Sequence, residues 1–166
     1  EYTENSTLSQ LDLNSIDLID FRHPIKYLTW VVVNEGTTGS NAGQGPCYFV
    51  SLCNNSLYKN DANNGNLKLR FNMLDVIDLP MYFFTRTIPN MYCENIPELD
   101  RIGLYSFALK PFDLEPSGTC NFSRIDSAIL DFTTAGTFSG TTITIYAVNY
   151  NILKIASGMG GLAYAN

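Results

Sequence analysis

The sequence predicts an all-β chain folded as an antiparallel sandwich of jelly-roll type. Three observations carry this. Seven or eight segments read as strands, separated by clusters of Gly, Asn, Ser and Pro. No convincing amphipathic helix longer than about ten residues interrupts them. The strand spacings are irregular and no internal repeat is visible, which disfavours a propeller or a regular barrel. Composition agrees: aromatic residues reach 13% while charged residues are only 16%. Such a chain fills a sheet core or covers its surface against partners.

Taken in order, LDLNSIDLIDF alternates and reads as a strand broken by a turn at Asn14-Ser15. His23-Pro24 excludes helix there. IKYLTWVVV (Ile25 to Val33) is the strongest strand signal, β-branched and aromatic, with Trp30 placed in the core. Residues 34–66 form a long loop rich in Gly, Asn and Ser, with a short strand at Cys47 to Leu52. LKLRFNML reads as a half-buried strand with Leu67, Leu69, Phe71 and Met73 inward. Asp75 to Leu79 suits a turn. MYFFTRT (Met81 to Thr87) suits a strand, and the Pro89 to Pro97 stretch an irregular connection. Strands are then expected at Ile102 to Lys110, Arg124 to Thr134, Thr141 to Asn149 and Tyr150 to Ser157. GMGG (Gly158 to Gly161) is expected to end pairing and let the tail approach another backbone.

The PSGTCNFSRID segment makes physical sense as a turn. Pro116 fixes φ, Gly118 permits positive φ, and Ser117, Thr119, Asn121 and Ser123 can bond local backbone. Arg124 and Asp126 flank Ile125 and would pair on one strand face. Phe107, Phe122 and Tyr146 would fill the space between sheets.

The net charge of −6 and pI of about 4.6 argue against nucleic-acid packaging, and the ten basic residues are scattered. No apolar run approaches the ~20 residues that a spanning helix needs. The N-terminus EYTENSTLSQ has no signal-peptide character and no initiator Met, as expected of a segment from a longer chain. Nothing in the spacing of Cys47, Cys53, Cys93 and Cys120 demands a disulfide, and reduced, buried thiols are expected.

Catalytic, cofactor and metal sets are not found. His23, the single His, reads as a turn residue and cannot build a zinc site or triad. GMGG lacks the pattern of a phosphate loop. Asp12, Asp17 and Asp20 read as a solvated edge, and Glu94, Glu98 and Asp100 as surface charges. Sequons occur at Asn5, Asn54 and Asn121; for Asn121, inside the turn motif, backbone bonding is the simpler role.

Three long, non-repetitive stretches carry a resemblance: FRHPIKYLTWVV (Phe21 to Val32), YSFALKPFDLEPSGTCNFSRID (Tyr105 to Asp126) and IYAVNYNILKIASGMGGLAYAN (Ile145 to Asn166). Together they resemble the C-terminal part of the major capsid proteins of nucleocytoplasmic large DNA viruses. The resemblance implies the second jelly roll of a double jelly-roll capsid protein. Residues 1–20 would lead from a first jelly roll absent from this chain, and 21–166 would form the domain. It implies a non-enzymatic virion protein without cofactor. The partners implied are itself as a homotrimeric, pseudo-hexagonal capsomer, then neighbouring capsomers, penton and minor capsid proteins, and an inner membrane layer, with no direct nucleic-acid contact. Assembly would take place in the host cytoplasm. The stretch from Leu67 to Glu98 departs from the family's pattern, so the outer loops are not carried over. Two other readings use the same fold: a minor capsid or scaffold protein, and a carbohydrate-binding module.

Overall fold

The computed structural model describes residues 2–9, 15–34, 48–49, 66–95, 102–133 and 141–164. Two antiparallel sheets face each other. The first takes β1 (Tyr2–Ser9), β10 (Thr141–Asn149) and β3 (Pro24–Asn34) in that order. Beyond β3, three short strands share its far edge: β8 (Cys120–Asn121), β7 (Ile102–Ser106) and β4 (Tyr48–Phe49). The second sheet runs β2 (Ser15–Asp17), β9 (Ala128–Thr133), β5 (Asn66–Phe71), β6 (Leu74–Pro80). A separate hairpin pairs β11 (Leu153–Ala156) with β12 (Met159–Leu162). This is the expected antiparallel jelly-roll sandwich.

Period-two burial explains why these residues take strands. On β10, Ile143, Ile145 and Ala147 are buried while Thr144 and Tyr146 alternate outward. Tyr146 therefore lies outside the space between sheets. On β9, Ala128, Leu130 and Phe132 point in, and on β5 Leu67 and Leu69 do. Trp30 is fully buried, as its strand predicts, with Phe84 at 5.7 Å and Phe132 at 6.4 Å between ring centroids. Phe122 and the half-buried Phe107 join this core. The aromatic rings meet at tilted and edge-to-face angles, adding to plain area burial.

Several expectations need correcting. Within residues 1–20, Tyr2–Ser9 pairs as β1 with β10 and Ser15–Asp17 as β2 with β9, so these two strands belong to the sheets. MYFFTRT is not a strand. Residues 81–92 are helical, with a π segment Phe83–Thr87 running into a short α-helix, α1 (Ile88–Tyr92). Met81, Phe84, Thr85 and Pro89 are buried at helical spacing, and that face closes one side of the core. Asp75 to Leu79 is strand, and the turn falls earlier, at Asn72-Met73. The strand expected from Arg124 begins only at Ala128. Phe122–Arg124 form a 3-10 turn, and no ion pair joins Arg124 to Asp126 among the described residues. GMGG does not end pairing, since Met159 to Leu162 is β12 itself. No atom lies within 4 Å of where a Cβ on Gly158, Gly160 or Gly161 would stand. The rest of the 34–66 loop, Cys47, Cys53, Asn54, Asp12, Asn14, Glu98 and Asp100 lie outside the described residues, as does the Asn5 side chain.

The β5–β6 hairpin turns on two residues at positive φ, Asn72 at 49° and Met73 at 68°. Two-residue hairpin loops with this backbone favour Asn then Gly. Asn72 earns its place, because its Oδ1 accepts the Asp126 and Ser127 N–H groups, each at 3.1 Å. Met73 has no such return and is 87% exposed. Met73→Gly is therefore expected to raise stability by about 0.5 kcal/mol, the left-handed strain relieved less the added chain entropy. Asn72→Ala is expected to lower it by about 2 kcal/mol, through two lost hydrogen bonds and retained strain. Urea titration of both variants checks the opposite signs.

Candidate assembly surface

Among the described residues, the β11–β12 hairpin is the most exposed element. Ser157 at φ 53° and Gly158 at 78° make its tight two-residue turn. The register pairs Leu153 with Leu162 and Ile155 with Gly160, so these four residues share one face. Leu153 is 63% exposed, Ile155 71% and Leu162 60%. Lys154, Ala156, Met159 and Gly161 form the other face. At its base, Asn151 Nδ2 donates to the Tyr164 carbonyl at 3.0 Å and Asn151 Oδ1 accepts the Tyr164 N–H at 3.2 Å. The Tyr164 ring lies 5.6 Å from the His23 ring. An apolar two-stranded ribbon anchored at its root is marginal in water and gains stability when another surface covers it.

The outer face of the second sheet has a different character. Lys68 Nζ bridges Asp75 at 3.1 Å and Asp78 at 3.2 Å, and Arg70 pairs with Asp131. Ser15 Oγ donates to the same Asp131 carboxylate. Hydrogen bonds from the Lys68 ammonium to Asp75 and Asp78 raise its pKa above the ordinary 10.5. The two Lys68 pairs are screened by solvent and add little stability. Charge along β6, the edge strand of this sheet, opposes further strand addition there.

A third surface is the 107–117 loop, which the PSGT turn folds back on itself. Lys110 N–H donates to Ser117 Oγ at 2.9 Å. Gly118 has φ +143°, and a Cβ there would fall 2.8 Å from the Phe107 carbonyl oxygen, so only Gly fits. The loop leaves Leu109, Phe112 and Leu114 exposed.

The residues weighed for chemistry are spread apart. His23 sits at φ 72°, donates its N–H to Ser123 Oγ at 2.9 Å, and tethers the turn to β3. Asp17 Oδ1 accepts the Ile19 N–H at 3.0 Å. Asn121 Oδ1 accepts the Ser123 N–H at 3.1 Å, the local backbone role expected of it. Asp20 and Glu94 are exposed. Cys93 and Cys120 are free and half-buried; burial raises the pKa of the Cys120 thiol and of the nearby Tyr105 phenol. Among the described residues no group of three or more His, Cys, Asp or Glu could hold a metal ion, and no helix is long and apolar enough to cross a membrane.

Comparison with known proteins agrees with this picture. A family model described as "Large eukaryotic DNA virus major capsid protein" matches residues 2–161. The major capsid protein of Pyramimonas orientalis virus is 34% identical over 185 aligned positions, which take in 98% of this chain and 40% of the relative. That of Paramecium bursaria Chlorella virus 1 is 35% identical, over 89% of this chain and 42% of the relative. The chain thus spans about two fifths of the length of these relatives. A quasi-atomic structure of the PBCV-1 virus capsid superposes with a TM-score of 0.72 at 30% identity, over 99% of this chain and 50% of that one. The Faustovirus major capsid protein shares the fold, with a TM-score of 0.63 at 11% identity. The sandwich and the turn motif lie within the matched span, and the chain belongs to the family of large eukaryotic DNA virus major capsid proteins.

Proposed function

We propose that this chain is the C-terminal jelly roll of a major capsid protein that assembles into trimeric, pseudo-hexagonal capsomers of an icosahedral shell. The single observation that carries the reading is the family match across residues 2–161, which takes in both sheets. A preceding jelly roll completes the protomer. The strands stand upright to the shell. Assembly is surface burial: the apolar face of the β11–β12 hairpin is covered by a neighbouring copy, while the charged outer face of the second sheet stays wet. Neighbouring capsomers, penton and minor capsid proteins, and an inner membrane layer complete the contacts. No catalytic, cofactor or metal residue is assigned, because none of this needs one. Assembly takes place in the host cytoplasm and the product resides in the virion shell.

The native mass of the full-length protein tests the reading. Three copies per particle are expected. A full-length protein that stays monomeric at micromolar concentration would overturn it in favour of a minor capsid role on the same fold.

A further inference from the structure

Where β3 begins and β10 ends, their register slips. Val148 pairs with Tyr27 and Asn149 with Ile25, so Lys26 is the extra residue of a β-bulge. Bulges re-aim side chains, and here the result is a lysine only 6% exposed. Its Nζ donates to the Asp113 main-chain oxygen at 3.0 Å and lies 5.1 Å from the centroid of the Tyr150 ring. None of the ion pairs among the described residues reaches it. Beside it, Asn149 is 2% exposed, and neither its Nδ2 nor its Oδ1 meets a protein partner. The buried Tyr150 hydroxyl has none either. Buried polar groups are nearly always satisfied, so three such atoms beside a buried ammonium ask for a partner.

Lys26, Asn149 and Tyr150 line one cleft of about 410 Å³, walled by Tyr27 and by Phe112 and Asp113 of the 107–117 loop. That volume falls in the range of small-ligand sites. The wall is fixed: Ser117 holds Lys110, and the Phe112 ring packs 5.5 Å from Tyr27.

The chemistry selects the occupant. A carboxamide with both donor and acceptor free matches a main-chain peptide unit, which offers the complementary acceptor and donor. An ammonium with N–H groups to spare matches a carboxylate. A neutral saccharide would leave that charge unanswered. A phosphate is better served by arginine or a cluster of main-chain N–H groups. We propose that this cleft captures an extended peptide segment bearing a carboxylate side chain, with Lys26 reading the carboxylate and Asn149 the backbone. The inference stands on the cleft alone and does not depend on how capsomers form.

The test is titration of the chain with acetyl-Gly-Gly-Glu-Gly-Gly-amide and with its Gln counterpart, followed by amide chemical shifts. Saturable shifts at Lys26, Tyr27, Phe112, Asn149 and Tyr150 are expected, with the Gln peptide about tenfold weaker, the worth of one charge-assisted hydrogen bond. Lys26→Met keeps the side-chain length and is expected to bring both peptides to the same weak affinity. Asn149→Asp sets a carboxylate against the ammonium and is expected to weaken the Glu peptide about tenfold or more. Should either variant fail to fold, the Glu-to-Gln ratio on the unaltered chain decides alone. Equal binding of the two peptides, shifts centred elsewhere, no shifts at all, or a neutral oligosaccharide taking the cleft while the peptide does not, would each overturn the proposal.

Discussion

Gly103→Ala is expected to destabilise the chain by about 3 kcal/mol, at the upper end of overpacking costs. Gly103 sits on β7 directly opposite Trp30 on β3, and the indole occupies the space a side chain there would need. An added Cβ would clash with Cε2 and Nε1 of that ring. The ring cannot step aside, because Phe84 and Phe132 hold it and it is fully buried. Backbone cannot retreat easily either, since Thr29 Oγ1 donates to the Gly103 carbonyl at 2.9 Å. For a domain of this size the loss lowers Tm by about 6–12 °C. Thermal unfolding by circular dichroism measures it. Trp30→Leu alone is costly too, through the lost indole. In combination with Gly103→Ala its cost should be far from additive, because the smaller side chain vacates the space the new methyl needs. A Gly103→Ala protein melting with the unaltered chain would show that the indole does not cover β7.

Much of this core was legible in the sequence, and the reasons are local. Ile25 to Val33 is so rich in β-branched and aromatic residues that strand and burial follow together. TTITIYAVN alternates without interruption, and β10 spans those nine residues. The PSGT turn announces itself through residue types with one conformational use each. MYFFTRT misleads for the same reason that IKYLTWVVV informs: its aromatic and β-branched content suits a strand. The signal to the contrary was spacing, with Met81, Phe84, Thr85 and Pro89 buried on one helical face. LKLRFNML overran its strand because Met73 continues the apolar alternation, although it occupies an exposed turn. The strand after it was hidden by Asp75 and Asp78, which mark an edge rather than a loop.

The surfaces were less legible. Lys26 and Asn149 are brought together by a one-residue slip in register, which no periodicity records. Each alone reads as an ordinary strand-end residue. The hairpin could have been found, since Leu153 and Ile155 alternate with Lys154 and Ala156. Glycines at 160 and 161 concealed its second strand, because glycine ordinarily weakens one. Here the small residue has a use: Gly160 sits opposite Ile155 and leaves the apolar face flat.

That flat face supports the prediction with the largest consequence for assembly. Under the trimeric assembly proposed above, Ile155→Lys in the full-length protein is expected to yield single copies while leaving the fold intact. The side chain is 71% exposed on this chain, so its replacement removes little internal packing, and surface substitutions of this kind stay within about ±0.5 kcal/mol. In a covered interface the account reverses. A buried isoleucine contributes about 1.5–3 kcal/mol, and an unpaired lysine in its place adds a desolvation cost of several more. Each protomer of a ring repeats the same contact, so one substitution weakens every interface at once. Native mass and Tm, measured on the same sample, separate the outcomes. A fall in mass at constant Tm places the hairpin in the interface between copies. A constant mass at constant Tm removes the hairpin from assembly and leaves its apolar face to the preceding part of its own chain.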